Sequence, residues 1–325
     1  MPKNALGIYI GEREIICTEV KLGGTIVVEK LIFSDIPEGA VSLGVITDIK
    51  SLAKILRKLL EQIEVTTDSA VTNIPPNLCG IKIIPEEPGY EKISNDQISW
   101  EMSYHMNEPQ DELITSYQHA ENSIILSAAR KDDVIDRGRV LEDAGLFVES
   151  IQPQPIADFN LVSLISRLQS GFGAIVVHID YPYSHVIIFD RGRFFYGVHF
   201  FTDIYAHERI GETVDTARLR NDILDAVRIT LGAYLKREPA FRPTGIIYIG
   251  KRLDEAFRNS LNDRLGFSEI NIEKLVSRTM KIRVSTAKKP LSQLLPVVGL
   301  SLYLYTRSRN GKIRIHKSLP FPRAT

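Results

Sequence analysis

Two stretches of this chain repeat one plan, and the repeat limits the folds open to it. Ala5 to Ile10, Ile15 to Val20 and Thr25 to Phe33 are apolar and β-branched, broken by Gly11-Glu12-Arg13 and by Gly23-Gly24. They predict three strands joined by tight turns. Ala174 to Ile179, Ser184 to Asp190 and Arg193 to Phe200 follow the same plan, with Arg191-Gly192 as a hairpin turn. A helix and one more strand come after each meander. Asp48 caps Ile49 to Ile63, where Leu52, Ile55, Leu56, Leu59, Leu60 and Ile63 recur at helical spacing, and Ser69 to Ile74 is the strand. Asp215 to Lys236 and the buried Ile246 to Ile249 take those places in the second half. The pattern predicts an α/β chain of two homologous halves.

Between the halves the composition changes. Pro85-Glu86-Glu87-Pro88-Gly89 opens a polar, aromatic-containing region, so residues 81–150 are expected to form an inserted subdomain. Within it Ile98 to Met106 predicts a helix, Leu113 to His119 and Ser123 to Ala129 paired strands, and Asp132 to Ala144 a helix ended by Gly145. Pro153 and Pro155 mark the return, Ile156 to Leu168 predicts an amphipathic helix, and Gly171-Phe172-Gly173 a hinge-like linker. Leu253 to Leu265 is again helical, and an apolar helix from Leu291 to Tyr305 closes the fold. The expected division is 1–80 with 151–170, then 81–150, then 171–306, with a basic tail over 307–325.

Forty basic residues balance forty acidic ones, so no global field draws the chain to nucleic acid or to an anionic membrane. Cys17 and Cys79 lack metal or redox spacing and predict reduced core thiols. Neither a signal peptide nor a run of about 18 apolar residues is visible, so no direct membrane insertion is expected.

The chemistry is suggested by the strand ends. Gly7-Ile8-Tyr9-Ile10-Gly11-Glu12-Arg13-Glu14 and Val176-Val177-His178-Ile179-Asp180-Tyr181 each run an apolar strand into a tight turn, the arrangement in which backbone amides grip phosphate. Gly11, Glu12 and Arg13 are therefore candidate nucleotide contacts, with Lys251 and Arg252 further charges that could attract phosphate. His178 and Asp180 share one strand face and His185 follows, so a metal site can be drawn. No further ligand stands at a recognised spacing, and no metal is expected. No nucleophile elbow or Ser-His-Asp order is present, and no catalytic residue is assigned. Ile81, Ile83, Trp100 and Tyr104 are the candidate partner-binding residues; the alternative is that the aromatic pair, with Met106, packs the core of the insertion.

The chain resembles the PilM family of type IV pilus assembly proteins, which is actin-like and related to FtsA. The resemblance rests on Gly7-Ile8-Tyr9-Ile10-Gly11, Trp100-Glu101, Leu126-Ser127-Ala128-Ala129-Arg130-Lys131 with Glu142-Asp143-Ala144-Gly145-Leu146, and Val298-Gly299-Leu300-Ser301-Leu302. It implies two actin-like (ribonuclease H-like) domains, an FtsA-like insertion in the first, and a groove for the N-terminal peptide of a membrane-anchored partner, PilN. ATP-binding members resemble Gly-Ile-Asp-Ile-Gly at the first turn, where the carboxylate helps place magnesium; Tyr9 stands there in this chain. The family's Asp-Ile-Gly falls on His178-Ile179-Asp180, and its Gly-Gly pair near the nucleotide on Gly250-Lys251, which the resemblance thus implies as further nucleotide contacts. Seventeen residues separate Phe201 from Leu219, too few for the family's upper lobe of domain two, which is expected to be reduced. Ile315 to Pro320 in the tail also resembles the apolar Leu-Pro segment by which such partners dock.

The expectation is a cytoplasmic pseudo-ATPase scaffold, peripheral to the inner membrane through its PilN-like partner, with neither ATP nor magnesium bound and with self-association left open. The alternative is an ATP-binding, actin-like ATPase that switches pilus assembly.

Overall fold

The computed structural model describes residues 3–85, 94–120, 123–167, 171–202, 216–251, 253–284 and 291–303. The apolar alternation of the N-terminus folds into the antiparallel strands β1 (Lys3–Ile10), β2 (Glu14–Leu22) and β3 (Ile26–Asp35), in a register that sets Ile8 opposite Cys17. A hairpin, β4 (Val41–Ser42) and β5 (Val45–Ile46), leads to α1 (Ile49–Ile63). The Asp48 carboxylate accepts the Ser51 N–H at 3.0 Å, so the expected N-cap forms. Leu52, Leu56, Leu59 and Leu60 face inward from this helix, and β6 (Ser69–Ile74) returns parallel to β1.

The second half repeats this path. β11 (Gly173–Ile179), β12 (Tyr183–Asp190) and β13 (Arg193–Phe201) form a meander, with Arg191 and Gly192 both at positive φ in its two-residue turn. α5 (Thr216–Arg237) then leads to β14 (Gly245–Gly250), parallel to β11. The spatial orders β3-β2-β1-β6 and β13-β12-β11-β14 match strand for strand, so the repeat legible in the sequence is a repeat of topology.

The expected insertion over 81–150 divides differently in the structure. β7 (Cys79–Pro85), β9 (Ser123–Arg130) and β8 (Leu113–Ala120) make a separate three-stranded sheet in the order β7-β9-β8, covered by α2 (Asn95–Met106). α3 (Lys131–Asp143) and β10 (Phe147–Pro153) belong to the first half: β10 pairs parallel with β6, and Val140 and Leu141 share a core with α1. A strand finds its sheet by the edge that is free to receive it, and the edge of β6 lies in the first half. The second half also reaches back. After α6 (Glu255–Leu265) and α7 (Ile272–Thr279), β15 (Met280–Ile282) joins the first sheet beside β3.

α4 (Gln154–Ser166) is not amphipathic as expected. Its residues are buried on every side, because the helix is enclosed by both halves and by α8 (Leu291–Ser301). The last turns of the two predicted helices, Leu168 and Tyr305, and the tail over 307–325 lie outside the described residues, as does most of the short link after Phe201. Cys17 and Cys79 are buried, unbridged thiols.

Asp190 anchors the turn between β12 and β13. Its carboxylate accepts Arg191 Nε–H at 2.8 Å and the Tyr234 hydroxyl at 2.9 Å, and pairs with Arg193. Burial alone would raise its pKa, but these hydrogen bonds and charges hold it below the usual carboxylate value. A carboxylate depressed in the folded state supplies stability that is complete above its unfolded pKa, about 4, and is lost as pH falls through the lowered folded value. Asp190→Asn should therefore cost about 2 kcal/mol at neutral pH and flatten the acid limb of a plot of melting temperature against pH. An unchanged acid limb would remove Asp190 from this role.

Candidate functional site: a bridged cleft and an apolar groove

The end of β1, the end of β11 and the end of β14 meet where the two halves face each other. The Tyr9 hydroxyl donates to the Asp180 carboxylate, and the Lys251 ammonium pairs with Glu14, so the two halves are joined across the cleft by hydrogen bond and by charge. Asp180 also accepts the Tyr181 N–H at 2.8 Å. Arg13 lies 6.0 Å from the centre of the Tyr181 ring.

Glu12 is turned toward the β4–β5 hairpin, where its two oxygens accept the N–H groups of Leu43 and Gly44 at 2.9 Å each. The pair of amides that could hold an external anion holds this carboxylate instead. Burial, aided by Asp180, keeps the Glu12 pKa above its ordinary value. Arg137 of α3 is buried beneath the same turn and donates to the Gly44 carbonyl at 2.6 Å. Gly250 sits at φ +85°, where a Cβ would overlap the Ile179 carbonyl and approach the His178 ring to 2.7 Å. The surviving glycine thus serves the packing of β14 on β11. Around these strand ends Glu12 meets Leu43 and Gly44, Arg13 lies by Tyr181, Gly250 packs on Ile179 and His178, and Lys251 pairs with Glu14.

A second concavity lies between the inserted sheet and the first half. It is a cavity of about 360 Å³ with mainly apolar walls. Ile114 to Ser116 of β8 and Ser127 to Ala129 of β9 line one side; Val134 of α3 and Val148 to Ile151 of β10 line the other. β8 is the edge of the three-stranded sheet and β10 the edge of the six-stranded one, so two strand edges border the same groove.

The four expected partner-binding residues are not brought together. Ile81, 5% exposed, belongs to a core shared with Ile187 and Phe189 of the second half, and Ile83 packs against that core. Trp100 and Tyr104 project from the outer face of α2, 61% and 80% exposed, while Ile98 and Met102 point inward. Successive strand residues face opposite sides of a sheet, and α2 covers the side away from Ile81 and Ile83. Neither pair lines the groove.

Residues 7–196 match the family described as type IV pilus assembly protein PilM. The chain belongs to that family. Its structure is similar to a solved PilM-PilN type IV pilus biogenesis complex at 18% identity and a TM-score of 0.67, covering 92% of this chain and 97% of that one. It is also similar to the ethanolamine utilization protein EutJ from Carboxydothermus hydrogenoformans, at 14% identity and a TM-score of 0.48, covering 93% and 90%. A third likeness is to the cytoplasmic domain of EpsL, an inner membrane component of the type II secretion system of Vibrio cholerae, at 10% identity and a TM-score of 0.43, covering 83% and 98%. A search of curated proteins gives no match. The fold is actin-like, as expected.

For a PilM-family chain, the sequence did carry a pointer to the groove. The run Ser127-Ala128-Ala129, part of the motif on which the resemblance rests, supplies small side chains to its wall, and Lys131 follows in the lining. Nothing in the residue pattern points to Asp158. This residue of α4 reaches the end of β11, where its Oδ2 lies 2.6 Å from His178 Nδ1 and 2.8 Å from His185 Nε2. Burial alone would raise the Asp158 pKa, but His178 and His185 hold it well below the ordinary carboxylate range. Burial pushes His185 down to about 4, whereas Asp158 outweighs burial at His178 and raises it. Among the described residues no helix is long and apolar enough to cross a membrane.

Proposed function

We propose that this PilM-family chain is a cytoplasmic scaffold of a type IV pilus or related secretion machine, and that it binds the N-terminal peptide of a PilN-like membrane protein. The observation that carries this reading is the apolar groove bordered by β8 and β10. An extended peptide laid between two strand edges can exchange main-chain hydrogen bonds with either one, while alternate side chains enter the apolar walls. Ile114, Val134 and Ile151 offer such walls, and Lys131 and Glu149 put one charge of each sign in the lining. The chain would then reach the membrane through its partner.

The same proposal treats the cleft as a site that has lost its nucleotide. Glu14 is neutralised by Lys251, Asp180 accepts Tyr9, and Glu12 is satisfied by two amides. Magnesium and a triphosphate would have to displace these contacts, each worth about 1–3 kcal/mol, before gaining any of their own. Calorimetric titration with a synthetic peptide of the PilN-like partner's cytoplasmic N-terminus tests the reading. One site per chain is expected, with a dissociation constant on the order of 1 μM, or about −8 kcal/mol. The absence of heat and of any competing binding signal would sink it.

A further inference from the structure

His178 and His185 stand directly opposite each other on the antiparallel strands β11 and β12. Residues paired in this way point to the same face of a sheet, and α4 crosses that face carrying Asp158. We propose that Asp158, His178 and His185 form a binding site for one divalent transition-metal ion of the zinc class, bracing α4 against the second sheet.

The three ligand atoms lie within 4.8 Å of one another, and each residue is at most 1% exposed. Two imidazoles and one carboxylate, without a thiolate, form a donor set suited to zinc, cobalt, nickel or ferrous iron more than to calcium or magnesium. One neighbour holds the carboxylate as an outer partner of a metal ligand does. Gln154 Nε2 donates to Asp158 Oδ1 at 3.0 Å, which fixes the carboxylate and leaves Oδ2 turned to the histidines. The other nitrogen of His178, Nε2, lies 4.0 Å from Asp180 Oδ2, beyond hydrogen-bond reach. His185 offers Nε2 to the site, and its Nδ1 has no hydrogen-bond partner among the described residues.

Metal-to-ligand distances of about 2.0–2.2 Å in a tetrahedral site require nitrogen-to-oxygen separations of roughly 3.3 Å. The present separations of 2.6 and 2.8 Å would open by roughly 0.5–0.7 Å, and the two nitrogens, within 4.8 Å of each other, would close toward the same value. The sequence alone paired His178 and His185 with Asp180, which the structure turns toward Tyr9; the third donor comes from a helix whose sequence carries no ligand spacing.

The test uses the full-length chain, free of tags and purified without chelator. Elemental analysis after growth with zinc should find about one equivalent per chain, against none when the site is only a hydrogen-bonded cluster. Replacement by Co(II) should give the visible absorption of a low-coordinate nitrogen and oxygen site, and proton spectra should show shifted ring N–H resonances from two histidines. Asp158→Asn and His185→Gln should each abolish loading. Gln154→Leu keeps all three ligands and should weaken affinity about 10- to 100-fold in competition with a chromophoric chelator. The proposal is overturned if the unsubstituted chain, supplied with zinc or cobalt, holds under about 0.1 equivalents. Shifted histidine resonances missing from the cobalt-loaded chain, or full loading of Asp158→Asn, would overturn it equally.

Discussion

Ser116→Trp should lower affinity for the partner peptide at least about 100-fold, close to 3 kcal/mol, and leave the fold intact. Ser116 sits on β8 and lines the groove, where its hydroxyl is 2.8 Å from that of Ser127. An indole at this position would occupy much of a cavity of about 360 Å³ and cover the strand edge on which the peptide would lie. Because β8 is an edge strand, the larger side chain can turn into the groove without displacing a neighbouring strand. The control is Trp100→Ala with Tyr104→Ala. Both residues are exposed on the outer face of α2, away from the groove, so affinity should stay within about twofold of the parent, under 0.5 kcal/mol. Loss of binding in this pair, with Ser116→Trp unaffected, would move the partner site to α2.

Gly299→Val should lower the melting temperature by about 4–5 °C, corresponding to roughly 3 kcal/mol at about 2.1 cal/mol/K of unfolding entropy per residue. A Cβ on Gly299 would overlap the Ala157 carbonyl oxygen of α4, and one on Gly7 would overlap the Ser301 hydroxyl and the Val297 carbonyl of α8. Backbone atoms cannot rotate away as side-chain tips can, so relief requires α8 to move from both halves at once. Gly232 of α5 has nothing within 4 Å of its Cβ position. Gly232→Ala should be neutral or stabilising by about 0.5–1 kcal/mol. Calorimetry on the three proteins separates close packing from a general intolerance of glycine replacement; equal melting temperatures for Gly299→Val and the parent would contradict the packing account.

Much of the fold was legible because its signals are local. The strand meanders declare themselves by apolar alternation and by Gly11-Glu12-Arg13 and Arg191-Gly192, and α1 by its Asp48 cap and leucine spacing. What escaped depends on neighbours distant in sequence. β10 joins the first sheet because β6 offers a free edge, and the three residues of β15 are too few to show a period. α4 lacks a polar face because two sheets and α8 surround it.

The candidate sites divide in the same way. The cleft turns were readable, because each follows a strong apolar strand; the bridges from Tyr9 to Asp180 and from Lys251 to Glu14 were not, because they cross between halves. A partner groove was expected from the family resemblance alone, and the lining of the cavity between β8 and β10 was not legible, because Ile114 and Ile151 come from edges of different sheets; the aromatics singled out on α2 lie outside it.

The most direct test of a scaffold that works without nucleotide is one titration performed twice: the partner peptide against the full-length chain, with and without millimolar Mg-ATP. The bridged cleft predicts the same dissociation constant in both. Peptide binding that appears only with Mg-ATP, or strengthens tenfold with it, about 1.4 kcal/mol of coupling, would contradict the account and restore the nucleotide switch.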